Sequence, residues 1–305
     1  PYTTLFRSKY RWLYQLGLQG PDMFFYNIPI LRHRDYRNVG SYMHEHKVNA
    51  FFECCLRRIG TIRSRQQQEE AISYLAGFIN HYIADSICHP YVYGRIGYPV
   101  DAPTSMHHGM HAHLENELDA ILLWKYKKKK PSEFNQTATI CLNGQEIQFI
   151  SHFLASCINE TYYPITYRNN FQVTPAMVHR SIWALRFGCR TLSDKNGKKK
   201  FGIAQVESIF VNHPVASAKM VTDSVTDYRS SCNLNHEAWS NPWDPTRVST
   251  ASFVDLFHET LDKCSRVYAL LNSAVTDNMP LDKQDLSPLL AELGNESYHS
   301  GLPVD

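Results

Sequence analysis

The chain has 305 residues, of which 43% are hydrophobic, and its formal net charge is +2 at pH 7. This length and apolar content suffice for one large domain with a full core. Because the net charge is close to zero, it does not indicate binding to nucleic acid. No apolar run reaches the ~20 residues of a membrane-spanning helix.

The first eight residues, Pro-Tyr-Thr-Thr-Leu-Phe-Arg-Ser, match the conceptual translation of a common sequencing adapter. Such a segment is set aside in fold reasoning, as any fusion scar would be. We therefore expect the natural sequence to start near Lys9 with its true first helix lost upstream, and residues 9–305 to form a single helical domain.

The first predicted elements are a turn and a helix. The Gly-Pro-Asp triplet at residues 20–22 predicts a turn that carries Asp22. Apolar periodicity predicts a helix over residues 42–56, with Ser41 as its N-cap. His44 would then lie in the first turn of that helix.

Two longer helices follow. The first is predicted over residues 67–88 and should stop at His89, because Pro90 disfavours helical geometry in the residue before it. Residues 94–106 contain glycine and proline and predict a loop. The next helix is predicted over residues 108–126, and its lysine-rich end suits the negative end of the helix dipole.

Later helices are expected over residues 145–162, 175–192, 250–273 and 286–293. Ser249 and Thr250 can cap the third of these. Residues 194–200 predict a polar connector, and residues 215–245 show no clear pattern. Strands are few and are not regularly spaced, so no β-sandwich is expected. The sequence therefore predicts an all-α fold.

Ionisable residues recur four positions apart in the two long helices. His81, Asp85 and His89 share one helical face because a helix turns once in about 3.6 residues. His111 and Glu115 repeat this spacing. Imidazole nitrogen and carboxylate oxygen are the ligands that zinc accepts. The pattern favours a metal site over a solvated polar stripe, because apolar neighbours surround these groups and burying them unpaired would be costly.

A competing pair lies two positions further along the same helix. His113 and Glu117 have the spacing of His111 and Glu115. Positions two apart differ in direction by about 200°, so only one of the two pairs can face a given metal. The spacing alone does not choose between them.

Four segments of the sequence, at residues 16–26, 40–44, 76–93 and 111–119, carry motifs of a known family. In these segments the chain resembles the bacterial zinc-dependent phospholipase C family. The resemblance implies an all-α multi-helix fold, shared with single-strand-specific zinc nucleases, in which zinc ions gather in one cleft. It implies that the paired ionisable residues are metal ligands, and it adds Asp22 and His44 as two further ligands.

Carried over position by position, the resemblance implies one zinc held by Asp22, His44, His81 and Asp85, and a second held by His89, His111 and Glu115. Asp22 would also act as general base. In the family a third zinc takes the N-terminal amine and a histidine of the first helix, and Asp85 would bridge toward it. Neither the amine nor that histidine can be assigned to a residue of this sequence, so we expect about two zinc ions.

The resemblance implies a zinc-dependent phosphodiesterase that cleaves a phospholipid headgroup or a soluble phosphodiester with metal-activated water. A single-strand-specific zinc nuclease and a zinc-stabilised helical protein without activity are the alternatives. We expect a monomer with no stable nucleic-acid complex. Eight cysteines without a C-x-x-C motif favour a reduced, cytosolic setting over secretion.

Overall fold

The computed structural model describes residues 9–26, 39–163, 172–211, 213–214, 216–225 and 227–305. The adapter-like residues 1–8 lie outside this range. The predicted all-α class is confirmed, because the described residues form helices and one antiparallel pair of short strands. None of the described helices is long and apolar enough to cross a membrane.

The α-helices and strands follow one another along the chain. The α-helices are α1 (Arg11–Gly17), α2 (Val39–Glu45), α3 (Val48–Thr61), α4 (Arg65–Arg95), α5 (Ser105–Lys127), α6 (Gly144–Thr161), α7 (Pro175–Leu192), α8 (Lys198–Phe210), α9 (Tyr228–Ser231), α10 (Phe253–Thr276) and α11 (Ser287–Leu293). The strands are β1 (Trp239–Asn241) and β2 (Asp244–Ser249). Short 3₁₀ helices span Gly20–Tyr26, Pro131–Glu133, Gln136–Thr139, Ser217–Lys219 and Leu281–Lys283.

The chain divides into two compact units, each assembled from separated stretches of sequence. The first contains Pro1–Ser86, Ala138–Phe187 and Thr260–Asp305, and the second contains Ile87–Thr137 and Gly188–Glu259. The expected single domain over residues 9–305 stays a prediction.

The first unit is organised by a close approach of α1 and α4. A Cβ added at Gly17 would lie 2.0 Å from the carbonyl oxygen of Tyr74, and one added at Gly77 would lie 2.0 Å from that of Tyr14. Only glycine permits backbones to approach so closely. This crossing sets the 3₁₀ turn after α1, which carries Asp22, beside the middle of α4.

The core of the first unit is rich in aromatic rings. Phe51 and Phe52 of α3 pack on Phe78 of α4, with ring centroids 5.2 and 5.9 Å away. Tyr82 of α4 packs on Phe52 and on Tyr298 near the C-terminus. All five side chains are buried. Such rings contribute much buried apolar area and prefer the tilted geometries seen here.

The second unit has its own core, built on the last turns of α4. Tyr91 packs on Phe253 and on Trp239, and its hydroxyl donates a hydrogen bond to the carbonyl oxygen of Ser231. The buried members of this cluster are Tyr91, Val92, Leu118, Ile121, Cys232, Phe253 and Leu256.

The predicted end of α4 at His89 is wrong, because the helix continues through Pro90 to Arg95. Proline removes one hydrogen bond from the helical ladder. The burial of Tyr91 and Val92 in the second unit's core offsets this loss. The loop that follows, residues 96–104, confirms the predicted break before α5.

The predicted helix over residues 42–56 is in fact two helices, α2 and α3. Lys47 separates them with a left-handed backbone at φ 50°. Its N–H donates to the carbonyl oxygen of Asp305, and its ammonium group donates to that of Thr161. His44 therefore lies in the last turn of α2 instead of the first turn of a longer helix.

Two further sequence predictions need correction. Helix α8 begins within the predicted polar connector. The N-cap of α10 is Ser252, whose hydroxyl accepts a hydrogen bond from the N–H of Asp255, and not Ser249 or Thr250. Helix α7 confirms its predicted bounds, and Pro175 is its first residue, where a missing N–H costs nothing.

Candidate metal centre

The first group of metal-ligand side chains lies in the first unit. One ligand atom each from Asp22, His44 and His81 lies within 4.8 Å of the others. Asp85 joins them, because its Oδ2 lies 3.1 Å from Nε2 of His81 and 4.0 Å from Nε2 of His44. The structure therefore brings together all four residues that the resemblance assigned to one zinc.

Local backbone geometry makes room for His81. Gly20 has φ 47°, a left-handed conformation that favours glycine. A Cβ at this position would lie 2.1 Å from Cδ2 of His81. The turn can therefore bring Asp22 next to the imidazole only because residue 20 has no side chain.

Both imidazoles of the first group are oriented by backbone carbonyl groups. Nδ1 of His44 lies 2.7 Å from the oxygen of Gly40, and Nδ1 of His81 lies 3.1 Å from that of Leu18. A carbonyl oxygen only accepts, so each Nδ1 carries a proton. This arrangement is common for zinc-binding histidines, because it leaves Nε2 as the ligand atom.

The Nε2 atoms face carboxylate oxygens. Nε2 of His44 lies 3.1 Å from Oδ1 of Asp22, and Nε2 of His81 lies 3.1 Å from Oδ2 of Asp85. In a neutral imidazole protonated at Nδ1, Nε2 is an acceptor, as is the carboxylate. Two acceptors at this distance need a proton or a cation between them. A donor set of two imidazoles and two carboxylates fits zinc.

The second group lies in the second unit and combines residues of α4 and α5. Nε2 of His89 and Nε2 of His111 approach the same oxygen of Glu115, at 3.0 and 3.1 Å. The ligand atoms of all three residues lie within 4.8 Å of one another. Two nitrogens and one oxygen could hold a zinc ion, because catalytic zinc sites often have three protein ligands and keep the fourth position for water.

Electrostatics at Glu115 favour a charged carboxylate. Burial raises the pKa of this carboxyl. The charge of His111 and the hydrogen bonds from His111 and His89 lower the pKa by more than burial raises it. The pKa of Glu115 therefore lies well below its ordinary value. A carboxylate that stays ionised is available as a metal ligand.

The competing pair on α5 points elsewhere. Glu117 is buried and accepts a hydrogen bond of 2.7 Å from the hydroxyl of Ser231. Nε2 of His113 lies 3.7 Å from Glu117 and belongs to neither ligand group. Of the two pairs that the spacing left open, His111 and Glu115 are the one that meets His89.

Aromatic side chains that the sequence analysis did not single out surround the second group. The ring of Tyr93 lies 4.5 Å from that of His111. Trp243 packs edge-on against Tyr93 at 4.9 Å and stacks on Tyr98 at 5.7 Å. The helix period could have placed Tyr93 beside His89, four residues earlier, but no local signal connects Trp243 with His111.

A second missed contributor is Tyr298, which is buried beside the first group. Its ring centroid lies 4.8 Å from that of His44 and 5.9 Å from that of His81. Its N–H donates to the carbonyl oxygen of His44 at 2.9 Å. One residue near the C-terminus thus contacts both imidazoles of the first group.

Comparison with known proteins agrees with this geometry. The family model for zinc-dependent phospholipase C matches residues 3–166, more than half of the chain. The chain belongs to the zinc-dependent phospholipase C family. The match includes all seven residues of the two groups, whereas Trp243 and Tyr298 lie beyond it. Searches of curated proteins and of solved structures return no match.

Membership explains the chemistry of the two groups. A zinc-dependent family accounts for histidine and carboxylate side chains whose possible ligand atoms converge. It also accounts for their placement on helices, where the i, i+4 spacing of His81 with Asp85 and of His111 with Glu115 presents both members of each pair together.

Proposed function

We propose that this chain is a zinc-dependent phosphodiester hydrolase of the phospholipase C type. The observation that carries the proposal is the meeting of Nε2 of His44 and His81 with the carboxylates of Asp22 and Asp85 at 3.1 Å. The family to which the chain belongs supplies the reaction class.

The proposed metal content is two zinc ions, one for each group. The first would be held by Asp22, His44, His81 and Asp85, and the second by His89, His111 and Glu115. Zinc supplies Lewis acidity, lowering the pKa of bound water and polarising phosphoryl oxygens. The chain's own residues orient the ligands and manage the proton.

Asp22 is the proposed general base. Its carboxylate faces His44, yet the side chain remains 42% exposed, whereas that of Asp85 is only 16% exposed. Asp22 can therefore reach a water molecule beside a substrate and accept its proton. The water oxygen bonds to phosphorus, the ester bond to the alcohol breaks, and the leaving alkoxide takes a proton from solvent, to which Asp22 then releases the proton that it accepted. The products are an alcohol and a phosphomonoester.

The proposed substrates are a phospholipid headgroup or a soluble phosphodiester. A single-strand-specific zinc nuclease is the second candidate, and the aromatic rings of Tyr93, Tyr98 and Trp243 near His111 favour it. Nucleobases stack on such rings with little dependence on sequence. Both candidates use the same hydrolytic chemistry and differ in what binds beside the metal.

One experiment separates the alternatives. The purified chain, stripped with chelator and reloaded with zinc, is assayed against short-chain phosphatidylcholine, a chromogenic phosphodiester and single-stranded DNA. We expect zinc-dependent hydrolysis of the first two, and preferred cleavage of DNA would support the nuclease instead. Zinc uptake without turnover on any substrate would leave a zinc-stabilised protein and overturn the proposal.

Asp22→Asn provides the matched variant, because the amide keeps the size of the side chain but cannot accept the proton. We expect the rate to fall on the order of 10² to 10³. Zinc content is measured on the same sample, so that loss of base can be separated from loss of metal. An unchanged rate would remove Asp22 from the catalytic role.

A further inference from the structure

Helix α8 of the second unit exposes large apolar side chains to solvent. The exposed fractions are 68% for Phe201, 58% for Val206, 75% for Ile209 and 81% for Phe210. The helix buries none of its residues. Large apolar side chains that are exposed together on one helix favour an interaction surface there.

The acidic residue of α8 is turned inward. Glu207 accepts hydrogen bonds from the N–H of Ala216 and from the N–H and hydroxyl of Ser217, which is buried. These bonds attach one side of α8 to the 3₁₀ helix Ser217–Lys219. The sequence of α8 contains no other acid, so its outward side carries no negative charge.

The first turn of α8 supplies positive charge. Lys198, Lys199 and Lys200 begin the helix, and Lys198 and Lys199 are exposed. The ammonium group of Lys199 donates to the carbonyl oxygen of Ser193 at 2.9 Å, which holds it at the start of the helix. The outward side of α8 thus combines lysines with phenylalanine, valine and isoleucine.

We propose that α8 docks the protein on a membrane surface that contains anionic phospholipid. Interfacial helices share this composition, in which apolar side chains enter the headgroup boundary and lysines face the anionic heads. A second copy of the chain fits less well, because α8 offers no exposed acid to pair with the lysines of its partner.

This inference rests on the proposed function for its choice of a lipid partner. A hydrolase of membrane lipid must stay at the surface long enough to take up its substrate. Docking through α8 would keep the protein at the membrane surface for that time.

Flotation of the zinc-loaded chain with vesicles tests the proposal. We expect binding to vesicles of phosphatidylcholine mixed with phosphatidylserine, weaker binding to phosphatidylcholine alone, and weakening by salt. Ile209→Ser combined with Phe210→Ser should reduce the partition coefficient at least about tenfold. Lys198→Gln combined with Lys199→Gln should reduce it roughly fivefold per lysine.

Two controls make the result specific to α8. Phe134→Ser combined with Val248→Ser removes exposed apolar side chains elsewhere, and Lys129→Gln combined with Lys130→Gln removes charge from the basic run after α5. Both should bind vesicles as the unmodified chain does. Binding that survives the α8 changes, or that is lost in these controls, overturns the proposal.

Hydrolysis of a water-soluble chromogenic phosphodiester separates this inference from the proposed function. The α8 variants should hydrolyse it at the unmodified rate while losing activity on vesicles. Vesicle binding through α8 with no hydrolysis of any diester would refute the enzyme but keep the docking surface. Concentration-dependent dimerisation abolished by the Ile209 and Phe210 changes, without vesicle binding, would show that α8 binds a second copy.

Discussion

The imidazole of His299 stacks on that of His44, with ring centroids 4.8 Å apart and planes inclined by 11°. His44 is itself buried, and its Nδ1 is held by the carbonyl oxygen of Gly40. A candidate metal ligand that is fixed by both a hydrogen bond and a stacked ring keeps one orientation. His299 lies outside the segment that the family model matches, so the stacking of His299 on His44 is a contact between the matched segment and a later part of the chain.

His299→Ala should therefore weaken zinc binding, by about tenfold, because His44 loses the ring that limits its rotation. His299→Phe should restore most of the affinity, since it keeps the flat face. Competition between the full chain and a chromogenic zinc chelator measures both. If the phenylalanine variant binds zinc as weakly as the alanine variant, an imidazole nitrogen of His299 matters and the positioning role is wrong.

Gly20→Ala should displace His81 without removing any ligand. The added Cβ would lie 2.1 Å from Cδ2 of His81, at a backbone φ of 47°. We expect zinc affinity to fall and the free energy of unfolding to drop by about 1–3 kcal/mol from backbone strain.

Gly197→Ala is the matched control for this change. Residue 197 has φ 68° and open space around an added Cβ. Its strain should lower stability by a similar amount while zinc affinity stays unchanged. Equal affinity losses in the two variants would show that strain, and not contact with His81, is the cause.

His111→Ala should remove about one zinc equivalent, because the second group keeps only His89 and Glu115. His113→Ala should retain full zinc content, since His113 lies near Glu117 and outside both groups. Mass spectrometry of metal bound to each purified variant measures the difference. The opposite pattern would show that the pair on α5 has been chosen wrongly.

Zinc should stabilise the fold by mass action. At a free zinc concentration about 100 times the dissociation constant, one site adds about 2.7 kcal/mol to the free energy of unfolding. Asp85→Ala should remove most of this gain at the first group, whereas Asp262→Ala, an exposed carboxylate on α10, should keep it. Thermal melts with zinc and with chelator test this, and a zinc-independent melt of the unmodified chain would contradict it.

Glu70 predicts a pH dependence of stability that is separate from the metal. Burial raises the pKa of this carboxyl above its ordinary 4.5, against the lowering effect of a hydrogen bond from Gln66. The folded chain binds the proton more tightly than the unfolded chain does. Stability associated with Glu70 is therefore full below about pH 4.5 and declines as pH rises through the folded pKa.

Glu70→Gln should then raise the melting temperature at neutral pH and leave it unchanged near pH 4. Thermal melts in chelator at both pH values isolate this effect from zinc. Glu53→Gln, at a carboxylate that is 41% exposed, should show no such gain. A Glu70 variant that is no more stable than the parent at neutral pH would contradict the pKa argument.

The predictable part of the fold was local. The helix predicted over residues 175–192 has the bounds of α7, with Pro175 as its first residue. The polar residues before α8 suggested only a connector, because the apolar residues of α8 show no strong helical periodicity. The end of α4 was mispredicted because Pro90 disfavours a helix locally, while the burial of Tyr91 and Val92 stabilises one.

The sequence by itself determined the pair His81 with Asp85, because helix geometry alone places residues four apart on one face, and it left His111 with Glu115 and His113 with Glu117 as alternatives for a second pair. Asp22 and His44 were assigned only by resemblance. The tertiary structure brought them to His81, through the glycine crossing of α1 and α4 and the left-handed Gly20. It also brought Glu115, and not Glu117, to His89, and it placed His299 and Tyr298 beside His44. These contacts join residues far apart in the chain, so they depend on packing, which no local pattern encodes.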